Sequence, residues 1–282
     1  MLLSDLKKKL LKMTQENISA EQQTVKRAPR DYKDLELIIP GKPVTAGSGE
    51  FYMVRRKLDE LLSGSDMLIQ RYCNLFASNP KSRANFHKLE REFRKFLSLS
   101  PANIIFLDIE TTGLYNTPLF LIGLAYFNGE SFVVDQLFAR DYSEEANLLH
   151  YFSEFAPEFN MLITFNGKSF DARFIKDRMI YHRKRFEWTQ THVDILHHSR
   201  RQWRRRVPDC KLQTLEHYIC ERPLRVDDIP GELVPEVYRD FIQTGNVELL
   251  ADVFHHNALD LITLVDLAVT LAELQVDFLS LS

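Results

Sequence analysis

At 282 residues the chain can form one large domain or a domain with an extension, and its 45% hydrophobic and 27% charged residues are those of an ordinary globular protein. A net charge of −3 gives no global argument for a polyanionic partner, so any basic surface has to be local. Cys73, Cys210 and Cys220 are too scattered for a disulfide framework or a zinc site, and no apolar run reaches the roughly 18 residues that span a bilayer.

The cysteines fit a reducing cytoplasm, and Met1-Leu2-Leu3-Ser4-Asp5-Leu6 runs into Lys7-Lys8-Lys9 with no signal-peptide core. The expectation is a soluble, cytoplasmic protein with no membrane partner. Residues 1–25 read as a basic amphipathic helix, with Leu3, Leu6, Leu10 and Met13 at helical spacing. A solvated extension or oligomer contact is favoured there over membrane or nucleic-acid binding. Residues 26–50 hold Pro29, Pro40, Gly41, Pro43, Gly47 and Gly49, a linker-like stretch with a short strand at 35–39. Residues 55–76 read as helix, Ser78-Asn79-Pro80 breaks it, and a second helix carries Phe86, Leu89, Phe93 and Phe96. Residues 1–98 are thus expected to form a mostly helical accessory region, with residues 99–282 as the main domain.

From Asn103 the elements alternate. Asn103-Ile104-Ile105-Phe106-Leu107 opens a buried strand, and Leu119–Phe127 is a second apolar run. Asn128-Gly129-Glu130 is a hairpin signal leading into Phe132–Phe138. Residues 143–155 are helical, 161–165 form a fourth strand, 170–181 a helix and 192–196 a fifth strand. The remainder is helical, with turns at Pro208, Pro223, Pro230-Gly231 and Gly245. The order βββαβαβ followed by helices predicts an α/β fold with a mixed five-stranded sheet and helices on both faces.

The chemistry gathers around the first strand of that series. Asp108 and Glu110 stand at i and i+2, which on a strand puts both on one face, and Thr111-Thr112-Gly113 ends the strand beside them. Two like charges buried together cost several kcal/mol unless something neutralises them, and hard divalent cations bound by oxygen do so. A bare strand-end pair is the plainer alternative. Asp171 lies where the fourth strand gives way to a helix, at the sheet edge where ligands bind, although an acid also suits a helix N-terminus for its own sake. In Phe254-His255-His256-Asn257-Ala258-Leu259-Asp260, His256 and Asp260 are i and i+4 and share a helix face. His256 could there act as a general base.

These segments together resemble the DEDD-type 3′–5′ exonucleases, the proofreading-exonuclease family with an RNase H-like fold. Asp108 to Leu114 matches its Asp-x-Glu-Thr-Thr-Gly-Leu motif in full, Asn166 with Phe170-Asp171 its second motif, and the Asp260 segment its third. Within the superfamily the chain looks most like the YprB-type RNase H-like proteins over roughly residues 100–272. That likeness includes His192 to Leu196, Lys211 to Glu216, Asp228-Ile229-Pro230-Gly231 and His256-Asn257-x-x-Asp260. The His-type branch spaces its base as His255, the Tyr-type branch as His256, and the YprB-type match favours His256. The resemblance implies hydrolysis of phosphodiester bonds by two Mg²⁺ or Mn²⁺ ions held by Asp108, Glu110, Asp171 and Asp260, with His256 assisting the attacking water. It also implies a substrate of single-stranded DNA or RNA ends. A structure-selective endonuclease and an inactive nucleic-acid-binding module are the competing readings.

For the nucleic acid itself, Arg200-Arg201-Gln202-Trp203-Arg204-Arg205-Arg206 is the densest basic run, within a segment (181–211) carrying nine Lys or Arg against three Asp or Glu. Arg200, Arg201, Arg204 and Arg205 suit phosphates and Trp203 suits base stacking, with a solvated helix face and a core Trp203 as the alternative. Lys168, beside the second motif, is a further phosphate candidate, and Thr111 and Asn166 are motif residues placed to touch the strand. Asp194 and Phe170 are read as structural.

Overall fold

Ile104 to Thr111 is fully extended and sits inside a mixed sheet in the computed structural model, which describes residues 33–77 and 85–281. The amphipathic helix expected over 1–25, the first part of the linker-like stretch and the Ser78-Asn79-Pro80 break lie outside those residues. In chain order the elements are α1 (Lys33–Ile38), β1 (Lys42–Ala46), β2 (Gly49–Lys57), α2 (Leu58–Leu61), α3 (Ser65–Ala77) and α4 (Arg91–Phe96). Then follow β3 (Ile104–Thr111), β4 (Leu119–Phe127), β5 (Phe132–Phe138), α5 (Glu145–Phe155), β6 (Met161–Thr164), α6 (Asp171–Tyr181) and β7 (Thr191–Asp194). The chain closes with α7 (Ile195–Trp203), α8 (Leu212–Tyr218), α9 (Val234–Thr244) and α10 (Glu248–Leu281).

The strand order is β1-β2-β5-β4-β3-β6-β7, with β3-β6-β7 parallel and the remaining pairs antiparallel. The five strands expected from residue 103 onward are all present, and this is an RNase H-like fold. The sheet nevertheless has seven strands, because the hairpin β1–β2 pairs along the β5 edge. This corrects two expectations. Residues 35–39 lie in a helix and a bend rather than a strand, with Leu35 and Ile39 buried at i and i+4. Residues 49–57 are a strand rather than linker and helix, since Phe51, Tyr52, Met53 and Val54 are all buried on a sheet covered on both sides. The Tyr52 hydroxyl donates to the Ile39 carbonyl (2.8 Å) and ties the two segments together.

One face of the sheet is covered by α10, where Phe106, Ala125, Val134 and Ile163 share a core with Ala258, Leu261, Ile262 and Val265. Tyr72 of α3 joins that core against Phe127 and Phe132, and Arg71 binds Asp266 and Glu273 of α10. On the other face Ile105, Leu107 and Leu162 pack with Leu149 and Phe152 of α5 and Ile175 and Met179 of α6. No helix in the described residues is long and apolar enough to cross a membrane. The two faces together position β3 between the N-terminus of α6 and the middle of α10.

Candidate active site

Asp108 and Glu110 follow Phe106 on the β3 face that α10 covers, because strand side chains repeat every second residue. The ladder to β4 shifts register between Glu110 and Thr111, so regular pairing stops beside the acids. Asp171 is the first residue of α6 and is buried, reached through a loop in which Asn166 adopts a left-handed φ of 64°. Gly167 is required in that loop, since a Cβ there would lie 2.4 Å from Thr164. Asp260 lies midway along α10.

The three acids on β3 and α6 are electrostatically unhappy together. Burial, followed by Glu110, Asp260 and Asp171, pushes the Asp108 carboxyl well above its usual range, and a hydrogen bond from Asn257 only partly opposes this. Burial raises Glu110 to about 8, against the attraction of His256. Burial likewise raises Asp171 to about 7 despite backbone hydrogen bonds. Among the described residues no Lys or Arg pairs with any of the three.

Asp260 is different. Its Oδ1 accepts from Arg225 Nη1 at 2.6 Å, and Arg225 also binds Glu216 and Asp228 (3.1 Å). His256 Nδ1 lies 2.9 Å from Asp228 Oδ2, and its Nε2 approaches Asp260 Oδ2 at 3.6 Å. Burial alone would lower the imidazole, but the Asp228 hydrogen bond and the charges of Asp260 and Glu110 lift it to about 9. For Asp228 burial works upward, yet the bonds to His256 and Arg225 hold it below its usual value. His256 is buried against these acids, whereas His255 is exposed. Arg225, Asp228 and Glu216 had no assigned role in the sequence reading. The only signal was that Glu216 and Asp228 sit in the segments matching the YprB-type proteins.

The donor set suits a hard cation. Three carboxylates, Asp171 buried and Asp108 and Glu110 half-buried, offer oxygen ligands and, among the described residues, lack a Lys or Arg to neutralise them, and Asp260 Oδ2 faces His256 Nε2 at 3.6 Å. Among the described residues, no group of three His, Cys, Asp or Glu is already drawn into a metal-holding cluster. Mutual repulsion favours that separation.

The expected nucleic-acid contacts divide by burial. Trp203 is 3% exposed and belongs to the core beneath α10, so base stacking by this ring is excluded. On the helix it falls in line with Leu196 and Ser199, both buried. Arg200, Arg204 and Arg205 are exposed, and Arg200 lines a cavity of about 480 Å³ together with Asn166 and Lys211. Arg201 binds Glu90 (2.7 Å), Lys168 binds Glu92 (3.0 Å), and the Thr111 hydroxyl donates to the Gly113 carbonyl (2.8 Å). Asp194 is structural: its carboxylate accepts from the N–H groups of Asn166, Lys168 and Leu196, which holds the second-motif loop and starts α7. That cap ends the fifth strand at Asp194, two residues before the expected 196. Phe170 packs on Phe174.

A profile of the RNase_H superfamily matches residues 105–272. The chain is 33% identical over 178 residues to the uncharacterized protein YprB of Bacillus subtilis (strain 168), a match spanning 61% of this chain and 42% of that relative. Among solved structures it is similar to the family B DNA polymerase from the hyperthermophilic archaeon Pyrobaculum calidifontis, with a TM-score of 0.48 and 15% identity. That match covers 60% of this chain and 24% of the polymerase.

Proposed function

The chain belongs to the RNase_H superfamily, and we propose that it is a metal-dependent nuclease, a 3′–5′ exonuclease acting on single-stranded DNA or RNA ends in the cytoplasm. The observation that carries this reading is the trio Asp108, Glu110 and Asp171, the first two half-buried and the third buried, gathered without a Lys or Arg partner among the described residues, beside a helix bearing His256 and Asp260. These four acids would hold two Mg²⁺ or Mn²⁺ ions, which supply the compensating charge, lower the pKa of an attacking water and stabilise the leaving oxygen. The residues of the chain do the rest. Asp228 fixes the His256 ring through Nδ1, leaving Nε2 turned toward Asp260, where it can take a proton from water. The ring holds its own proton because of the carboxylates around it, so neutralising them frees it to act as a base. Arg225 fixes Asp260 through Oδ1 and leaves Oδ2 for ligation. Arg200, Arg204 and Arg205 offer phosphate contacts beyond the acids.

The test is digestion of end-labelled single-stranded, duplex and circular DNA and RNA with Mg²⁺, Mn²⁺ or EDTA. The expected result is a metal-dependent ladder shrinking from the 3′ end, lost by at least about a thousandfold in Asp108→Ala, since metal catalysis supplies several kcal/mol. Cutting of circles would reassign it as an endonuclease. Absence of cleavage on every substrate would reject the nuclease reading.

A further inference from the structure

Asp108 receives one side-chain hydrogen bond, from Asn257 Nδ2 to its Oδ2 at 2.8 Å. Behind it lies a chain of polar groups buried in an otherwise apolar layer. Gln136 Nε2 donates to Asn257 Oδ1 (2.9 Å) and to the Phe254 carbonyl (2.8 Å), and Arg56 Nη2 donates to Gln136 Oε1. Asn257 and Gln136 are fully buried. The sheet register places them deliberately: Asp108 is opposite Gly123, Gly123 opposite Gln136, and Gln136 opposite Val54, two residues before Arg56 on the same face. Gly123 is the gap through which Asn257 reaches the row, since a Cβ there would lie 2.3 Å from Asn257 Oδ1.

An amide can turn over and exchange its oxygen with its nitrogen at little steric cost, so a Gln–Asn pair alone does not decide which end faces a carboxylate. A guanidinium has no such freedom, because it only donates. Arg56 is half-buried and forms no ion pair among the described residues. Among the described residues its Nε finds no partner, its hydrogen bonds go to Gln136 and, at 3.3 Å, to the Phe254 carbonyl, and Glu60 is the acid whose charge reaches it. That is a costly placement for a charge unless the charge serves a purpose.

We propose that Arg56, on the N-terminal hairpin, is a positioning residue that sets the polarity of the Gln136–Asn257 relay and so presents an N–H, rather than a carbonyl oxygen, to the metal-holding carboxylate of Asp108. Arg56 fixes Gln136 Oε1 as an acceptor while the Phe254 carbonyl, which only accepts, holds Nε2 as a donor, so Nε2 also donates to Asn257 Oδ1 and leaves Asn257 Nδ2 for Asp108. A strand outside the five expected in the main domain thereby orients one of its proposed ligands. The metal-affinity consequence rests on the proposed role of Asp108; the polarity itself does not.

Two measurements separate these. The first is NMR of the side-chain amides of Asn257 and Gln136 in wild type, Arg56→Met and Arg56→Lys. Each amide should give one slowly exchanging pair of protons in wild type. In Arg56→Met those resonances should shift and broaden or double, and Arg56→Lys, which also only donates, should restore them. An unchanged Asn257 amide in folded Arg56→Met overturns the proposal. The second is Mn²⁺ titration calorimetry of wild type, Arg56→Met and the isosteric Gln136→Glu. Residue 136 as a carboxylate has no N–H for Asn257, whose amide must turn and direct its oxygen at Asp108. Mn²⁺ affinity should fall roughly tenfold to a hundredfold in both variants, the usual cost of losing an outer partner of a metal ligand. Gln136→Glu gives Arg56 a charged partner but sets a carboxylate oxygen against the Phe254 carbonyl, so its folding is checked alongside, and a merely structural role predicts unchanged Mn²⁺ affinity in the folded variant. Wild-type affinity in Gln136→Glu overturns the relay and leaves the nuclease reading standing. No Mn²⁺ binding by wild type, with the amide response as expected, leaves the relay standing and removes the nuclease reading.

Discussion

Asp108, Glu110 and Asp171 stand beside Asp260, Asp228 and Glu216, yet among the described residues only the second set has basic side chains bonded to it: Arg225 binds all three of its acids and His256 bonds Asp228. The β3–α6 acids are driven toward their neutral forms by burial and mutual repulsion, while in the second set Asp228 is held ionised and His256 protonated. A cluster closed by its own ion pairs is complete without help, whereas the open trio waits for charge from outside. The contrast separates Glu216 and Asp228, which organise the site, from the trio proposed to hold cations, with Asp260 belonging to both through its two oxygens.

The closed cluster is broken most severely by Arg225→Met, which strips Glu216, Asp228 and Asp260 of their shared partner. Removing one member of a buried ion pair costs about 3–5 kcal/mol, and urea unfolding should show a loss in that range. Arg225→Lys should recover only part, because an ammonium cannot fork between carboxylates. A loss below about 1 kcal/mol would mean that the cluster contributes little.

The open trio should reveal itself through pH. Glu110 and Asp171 keep their protons to about 8 and about 7 in the folded chain, above their ordinary values of 4.5 and 3.8. Between those limits the native state binds more protons than the unfolded state, so the stability these two acids contribute falls as pH rises and their part of the decline ends above about 8. His256 acts in the same direction: its contribution is complete below 6.5 and is lost as pH climbs through about 9. In EDTA, denaturant unfolding between pH 5 and 8 should show a decline of several kcal/mol, each tenfold in proton affinity being about 1.4 kcal/mol. Saturating Mn²⁺ should flatten it, adding about 2.7 kcal/mol at a hundred times its dissociation constant. A stability in EDTA that is level across this range would contradict the open-trio picture.

The two histidines sharpen the same boundary. His256→Ala should lower kcat about a hundredfold, the low end for a lost general base, while exposed His255→Ala should stay near wild type. Equal losses would reassign the base.

What the sequence disclosed follows the range of the interactions. Asp108 and Glu110 were legible because a two-residue period on a short β-branched strand fixes their common face without any other part of the chain. The hairpin β1–β2 was not, because Phe51 to Val54 are four consecutive buried residues with no period to distinguish strand from helix. Leu35 and Ile39, at i and i+4, did carry a helical signal. Arg225 reaches Asp260 across 35 positions and Arg56 reaches Gln136 across 80, distances over which no local pattern operates. Gln136 left a trace, as a polar residue next to Asp135 inside the strand Phe132–Phe138, whose other residues are apolar. Trp203 shows the converse: its basic neighbours suggested a binding ring, whereas its alignment with Leu196 and Ser199 places it inside.

That last residue leads to the smallest expected effect. With Trp203 buried, the basic segment can offer phosphates charge but no stacking from this ring, so its contribution to binding should be electrostatic and indifferent to base identity. Arg200, Arg204 and Arg205 are exposed, whereas Arg201 is already held by Glu90. Each of the first three, changed to Ala, should weaken binding of poly-dT and poly-dA equally and reduce the slope of log affinity against log salt by about 0.7, the value for one phosphate contact on a single strand. Arg201→Ala should change the slope by much less. Fluorescence anisotropy with an inactive Asp108→Ala background measures all four. If the three slopes stay at the starting value, the face is merely solvated and the strand leaves the acids by another path.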